Sequence, residues 1–143
     1  MRKIIYTRPD GGVSIVHPVR NTLGETLTTD AEIEQRAWDK LPEDAINPQF
    51  VDESLIPTDR TFRNAWKDDN GIKVDMSKAK DLTKDRLRNE RKPLLEAQDV
   101  AFQRALESGA STAAIVSEKQ RLRDITKQVD GITSLDELKA LSL

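Results

Sequence analysis

The stretch MSKAKDLTKDRLRNERKPLLEAQDVAFQRALESG, from Met76 to Gly109, decides the fold of this chain. Its residues are mostly strong helix formers, and Gly109 stands where a glycine commonly ends a helix. Leu87, Leu94 and Ala101 recur at intervals of seven, the spacing of one helix face. The apolar stripe is widened by Leu95, Phe102, Ala105 and Leu106. The pattern predicts a helix about 50 Å long, at 1.5 Å per residue.

A proline inside this predicted helix is expected to disturb it. Pro93 has no amide hydrogen to donate, and its ring clashes with the preceding helical turn. The residue before a proline also disfavours the helical conformation. We therefore expect a kink or a break near Lys92.

A second helix is predicted from Ser111 to Val129, in STAAIVSEKQRLRDITKQV. Its apolar residues follow spacings of seven, three and four, which are typical of a coiled-coil seam. The short connection at 108–111 predicts that the two helices fold back as a hairpin. Ser134 and Glu137 form a capping box that opens a short terminal helix. The seam consists of Ile115, Leu122, Ile125 and Val129.

The N-terminal part has the pattern of a small mixed unit. KIIYTR and GVSIVHPV flank PDGG, and Asp-Gly is a strong hairpin signal, so strands are predicted at roughly 2–8 and 12–17. Thr29 and Glu32 form a capping box at the start of a helix that Pro42 ends. An extended piece follows at 50–54. Residues 1–57 are therefore predicted to form a ββαβ-like unit.

Residues 58–75 are predicted to connect the two parts. In TDRTFRNAWK, Phe62, Ala65 and Trp66 follow at i, i+3 and i+4, which predicts a short helix with these side chains on one face. Trp66 is then an anchor for packing. The fold class is α+β, a small N-terminal ββαβ-like unit followed by a long C-terminal helical hairpin. The hairpin with its short terminal helix occupies residues 76–143.

Composition excludes several classes of function. The chain has no cysteine, which excludes disulfides, thiolate catalysis and zinc sites built on cysteine. The formal net charge of −2 argues against nucleic acid as a main partner. The sequence contains no run of about 20 apolar residues, so no membrane span is predicted. Charged residues make up 34% and apolar residues 36% of the chain, as expected for extended helices or for a protein that buries surface against partners.

The candidate chemical sites are weak. His17 is the only histidine, no G-x-S-x-G motif is present, and acidic pairs such as Asp52 and Glu53 are expected by chance. The Asp68–Gly71 loop lacks the ligand spacing of a calcium site. The basic run Lys84–Lys92 is interleaved with acids at i, i+4, which is typical of a solvated face. The sequence therefore predicts no catalytic, cofactor-binding or metal-binding residue.

Two groups of segments resemble known phage proteins. IYTRPDGGVSIVHPV and IPTDRTFRNAWKDDNGIKVDMSKAKDL resemble small tailed-phage proteins encoded among tail genes. LRNERKPLLEAQDVAFQRA and KQRLRDIT are similar to the phage tail assembly chaperone family. In that family an Arg-rich helix leads into Leu-Leu-x-x-x-Asp, and a second helix ends in Leu-Arg-Asp. The matching positions are Arg88, Arg91, Leu94, Leu95, Asp99, Leu122, Arg123 and Asp124, within roughly residues 60–130.

The resemblance implies a non-enzymatic tail or tail-fibre accessory protein that works by docking. Its expected partners are phage tail or tail-fibre proteins, met in the host cytoplasm during assembly, with no cofactor. Retention in the virion and association with a second copy are left open. An effector that modulates a host protein is the alternative. We also expect an ion pair across the hairpin among Asp99, Arg123 and Asp124. The predicted partner-binding or core anchors are Phe62, Trp66, Leu94, Leu95, Phe102 and Leu122.

Overall fold

A computed structural model describes residues 1–20, 24 and 26–143. The chain divides into two units, Met1–Asp75 and Met76–Leu143. Antiparallel strands occupy the first unit and helices the second, so the predicted α+β class is confirmed. Residues 58–75 belong to the first unit rather than standing apart as a connecting segment.

A three-stranded antiparallel sheet forms the centre of the first unit. Its strands are β1 (Lys3–Thr7), β2 (Val13–Val16) and β3 (Ile46–Val51), in the order β2-β1-β3. The predicted hairpin is present: Gly11 has a φ of 83°, and the Asp10 carboxylate accepts a hydrogen bond from the amide of Gly12 at 2.8 Å. Ile4 and Ile5 of the central strand point to opposite faces of the sheet, and both are buried.

Helix α1 (Asp30–Asp39) packs on one face of this sheet. The predicted capping box is present, since Thr29 Oγ1 accepts from the Glu32 amide and the Glu32 carboxylate accepts from the Thr29 amide. Ile33 is fully buried. Trp38 stacks on Phe50 of β3, with ring centroids 4.8 Å apart.

The opposite face is covered by a second hairpin, β4 (Trp66–Asp68) and β5 (Ile72–Val74). The short helix predicted over 58–67 is therefore wrong. Arg63–Ala65 form only a single 3₁₀ turn, after which Trp66 begins a strand. The spacing i, i+3, i+4 is met equally by a tight turn followed by an extended residue. Phe62, Ala65 and Trp66 are all buried, but the hydrogen bonds of Trp66 belong to a sheet.

The second unit is a hairpin of α2 (Met76–Ser108) and α3 (Ala113–Asp130), followed by α4 (Leu135–Ala140). Of the kink or break predicted near Lys92, the break does not occur, because α2 continues through Pro93. Pro93 and Asn89 are both exposed, so water can bond the Asn89 carbonyl that lacks its usual amide donor. The buried apolar side chains of this unit are Ala79, Leu87, Ala105, Leu122, Ile125, Val129 and Leu138.

Candidate docking surface

Cations on α2 hold the second helix of the hairpin in place. Lys84 Nζ lies 2.6 Å from Asp130 Oδ1, and this contact holds the pKa of Asp130 below its usual range. Arg91 donates to the main-chain carbonyls of Leu122 at 3.2 Å and Arg123 at 2.8 Å. These bonds fix the register of α3 along α2 near the middle of the hairpin.

Two further cations bond the carboxyl ends of the other helices. Lys80 Nζ donates to the carbonyl of Asp130 at 3.1 Å, at the last residue of α3. Arg86 donates to the carbonyls of Leu138 at 3.3 Å and Leu141 at 2.7 Å, at the end of α4. Carbonyls at a helix carboxyl end lack amide partners and carry partial negative charge, so cations stabilise them. Much of the basic run 84–92 therefore makes intramolecular contacts.

The ion pair predicted across the hairpin is wrong in its partners. Asp99 pairs with Lys119, whose Nζ lies 2.5 Å from Oδ1. Asp124 instead pairs with Lys127 on its own helix, at 2.8 Å. Arg123 contacts α2 through its main-chain carbonyl, which accepts a hydrogen bond from Arg91. The antiparallel register places Lys119, one helical turn before Arg123, at the level of Asp99.

Burial divides the hairpin into a covered base, around Leu87, and a less covered distal half, between residues 94 and 116. Leu87 at the base is fully buried, whereas Leu94, one heptad further along the same face, is 44% exposed. Leu106 is 55% and Val116 is 51% exposed. Among the helices of this unit, α4 packs on the base of α2, and the distal half of each long helix has only the other to cover it. Apolar surface therefore remains open between residues 94 and 116.

The predicted anchors fall into two groups. Phe62, Trp66 and Leu122 are buried in the cores of their own units and are therefore core anchors. Leu94 is exposed, and Leu95 and Phe102 are partly buried. Lys119 Nζ lies 5.3 Å from the centroid of the Phe102 ring. The surface group, in the distal half of the hairpin, consists of Leu94, Leu95 and Phe102.

Sequence reasoning missed two members of this surface. Residue spacing places Leu106 in the helix stripe without predicting its exposure, and it does not single out Val116. The spacing of eleven between Leu95 and Leu106 was visible and places both on one side of α2. Their exposure depends on where α4 ends along the hairpin, which residue spacing does not determine.

The other candidate sites have structural contacts. Asp52 accepts hydrogen bonds from the amide of Ser54 at 2.9 Å and from its hydroxyl at 2.6 Å, and so caps a 3₁₀ turn. Asp68 accepts from Gln49 Nε2 at 2.7 Å and thereby joins β4 to β3. His17 is exposed beside a cleft that includes Arg60. Within residues 1–20, 24 and 26–143, no three His, Cys, Asp or Glu side chains are grouped to hold a metal.

Sequence reasoning also missed a nearly buried carboxylate in the first unit. The side chain of Glu34 is 8% exposed and accepts from the Arg2 guanidinium at 2.7 Å and the Arg2 amide at 2.6 Å. These hydrogen bonds from Arg2 hold the pKa of Glu34 below its usual range. The guanidinium carbon lies 4.3 Å from the centroid of Phe50, which stacks on Trp38. The cluster joins the start of the chain to α1.

Acid is expected to destabilise the first unit through Glu34. Its pKa is lower folded than unfolded, so its contribution to stability is present above the ordinary glutamate pKa and is lost as the pH falls toward the folded value. Glu34→Gln should lower the free energy of unfolding by about 1–2 kcal/mol at neutral pH. It should also flatten the pH dependence of that free energy below about pH 5.

Urea unfolding followed by tryptophan fluorescence measures this effect, because both tryptophans lie in the first unit. Glu43→Gln, at an exposed position of the same unit, is the control and should leave the pH dependence unchanged. A Glu34→Gln chain that kept the original pH dependence would contradict the assignment.

Comparison of the chain with family models, with curated protein sequences and with solved structures gave no match. In the described part of the chain, no helix combines the length and the apolar character that crossing a membrane requires.

Proposed function

We propose that this chain is a tail accessory protein of a tailed phage, and that it docks on tail or tail-fibre proteins in the host cytoplasm during assembly. The motif positions that resemble the tail assembly chaperone family support the proposal, because they meet on the hairpin. Arg91 of the first motif bonds the carbonyls of Leu122 and Arg123 in the second. The two motifs are thus in contact within one helical hairpin.

The observation that carries the proposal is the exposure of Leu94. We call Leu94, Ala97 and Ala101 the docking stripe, since spacings of three and seven place them on one face of α2. The base of that face is filled at Leu87, and at Leu94 it is open. Small side chains at 97 and 101 allow another helix to approach closely. An exposed leucine flanked by small side chains is suited to pack against an apolar side chain of a partner.

The proposal assigns binding rather than catalysis. Asp52 caps a turn, Glu34 bonds Arg2, and Asp68 bonds Gln49, so each of these acids has a structural role. The contact surface that the proposal assigns, around Leu94, is apolar. Desolvation of apolar side chains in a central patch is the usual source of binding energy between proteins.

A tagged full-length chain, expressed during infection by the phage that encodes it, tests the proposal. We expect mass spectrometry to find tail or tail-fibre proteins with the captured chain. Leu94→Asp should reduce that recovery about tenfold or more, because a charge in the contact must be desolvated. Val100→Asp is the matched control, since Val100 is 50% exposed on another face of the same helix and should not matter.

The location of the chain separates two forms of the role. Its presence in purified particles would identify a virion component, whereas presence only in assembly intermediates would identify a chaperone that leaves. Capture of a host protein in place of tail proteins would favour the effector alternative. If Leu94→Asp reduced the recovery of neither tail proteins nor a host protein, the result would contradict the docking stripe. Circular dichroism must first show that both variants are folded.

A further inference from the structure

A second apolar stripe lies beside the docking stripe on α2. Leu95, Phe102 and Leu106 are spaced by seven and four, which at 100° per residue places them within about 40° of one another. They lie about a quarter turn from Leu94 and Ala101. Leu106 is 55% exposed, while Leu95 and Phe102 are partly buried. We call Leu95, Phe102 and Leu106 the dimer stripe.

One polar edge of this stripe is complementary to itself. Lys92, Glu96, Gln103 and Glu107 follow the stripe along the same side of α2. Lys92 and Glu107 take part in no ion pair within the described residues, and Glu107 accepts only a hydrogen bond from Gln103 at 3.2 Å. A lysine and a glutamate are thus free at opposite ends of one edge.

From this edge we infer that a second copy of the chain covers the dimer stripe, with the α2 helices of the two copies antiparallel. The midpoint of Lys92 and Glu107 lies between residues 99 and 100, and the midpoint of Glu96 and Gln103 lies at the same place. A two-fold axis there brings Lys92 of each copy to Glu107 of the other. It brings Glu96 of each copy to Gln103 of the other. Two-fold interfaces require such self-complementarity.

The same axis also gives the apolar side chains a place to bind. Leu106 of one copy falls at the level of residue 93 in the other. A cleft of about 430 Å³ is present there, with Lys92, Leu95 and Glu96 among its lining residues. Asp99 lies near the axis and therefore close to Asp99 of the second copy. Its charge is neutralised by Lys119, whose Nζ lies 2.5 Å from Asp99 Oδ1. Antiparallel pairing of two hairpins produces a four-helix arrangement with a shared apolar seam.

Sedimentation velocity of the purified full-length chain tests the inference over a range of concentrations. We expect a dimer, and we expect Leu106→Asp to leave only monomer. Ala97→Asp should still dimerise, because exposed Ala97 stands nine residues before Leu106 and therefore lies on the opposite side of α2. A chain that stayed monomeric at every concentration, or a dimer that Leu106→Asp did not weaken, would overturn the inference.

Charge exchange tests the antiparallel register. Lys92→Glu and Glu107→Lys should each weaken dimerisation about tenfold, since each converts two attractive contacts into repulsive ones. The double variant carrying both changes restores opposite charges across the axis and should return the Kd to within about threefold of the original. All three variants change exposed positions, and circular dichroism should show unchanged helix content. Failure of the double variant to recover would contradict this register.

This inference goes beyond the proposed function, because it concerns a different stripe and a different partner. It is measured on the purified chain without phage components. A monomeric chain could still dock on tail proteins through Leu94, and a dimeric chain could still fail to do so. The two results are therefore distinguishable.

Discussion

Trp66→Ala is expected to lower the free energy of unfolding of the first unit by about 3–5 kcal/mol, the usual cost of removing a large buried aromatic side chain. Trp66 is 1% exposed and forms a core cluster with Ile5 and Val13. Partly buried side chains from the sheet and from β5 pack against the same cluster. The cavity left by alanine would separate the β4–β5 hairpin from the sheet, because these contacts join the two layers.

Urea unfolding followed by the fluorescence of Trp38 measures this change. Trp38→Ala is the matched control and is followed by the fluorescence of Trp66. Trp38 is only partly buried and stacks on one ring, so its removal should cost about 1–2 kcal/mol. A cost below about 1 kcal/mol for Trp66→Ala would place that side chain outside the core.

Leu87→Ala is expected to lower the free energy of unfolding of the second unit by about 2–5 kcal/mol. Leu87 is fully buried on the base of α2, at the level where α3 and α4 both belong to the core. Removal of its side chain leaves a cavity that the neighbouring helices fill only in part. Thermal or urea unfolding followed by circular dichroism at 222 nm measures the loss, because the second unit holds most of the helix.

Leu94→Ala is a closely matched control for this experiment. It makes the same chemical change on the same helix face, one heptad further along, at a side chain that is 44% exposed. We expect a cost of about 0.5 kcal/mol or less. Equal costs at the two positions would mean that the hairpin is covered along its whole length, and the docking stripe would then have no free surface.

The fold class could be predicted because long periodic segments and strong turn signals agree with one another. The heptad spacing through Leu87 and Leu94 required a long helix, and Asp-Gly between alternating residues required a hairpin. Both features depend on local sequence alone. The β1–β2 hairpin and the long helix α2 are therefore the parts of the structure that could be predicted well.

The segment around Trp66 shows where local pattern fails. Three apolar residues at i, i+3 and i+4 fit one turn of α-helix, but a window this short also fits a 3₁₀ turn that enters a strand. The loop Asp68–Gly71 carried the competing signal. Asn70 and Gly71 have positive φ angles of 52° and 112°, which a tight hairpin needs and a helix does not. The strand forms in place of the helix because the β4–β5 hairpin covers the face of the sheet opposite α1.

The candidate surface was predictable in its residues and not in its exposure. The apolar positions on α2 follow from spacing, and Leu94, Leu95 and Phe102 were identified in this way. Which of them are covered depends on how far α4 reaches, and that reach is set by contacts distant in sequence. Lys119 was missed as the partner of Asp99 for the same reason, because one helical turn in register changes which cation is opposite.

The bonds from Arg86 to α4 have a consequence for how this protein tolerates variation. The guanidinium binds the carbonyls of Leu138 and Leu141, which every amino acid supplies, so point substitutions at the exposed positions of α4 leave that attachment intact. The length of the connection at 131–134 is a different matter. An insertion or deletion there would rotate those carbonyls away from Arg86, so we expect homologous chains to drift in composition at this end while they conserve its length.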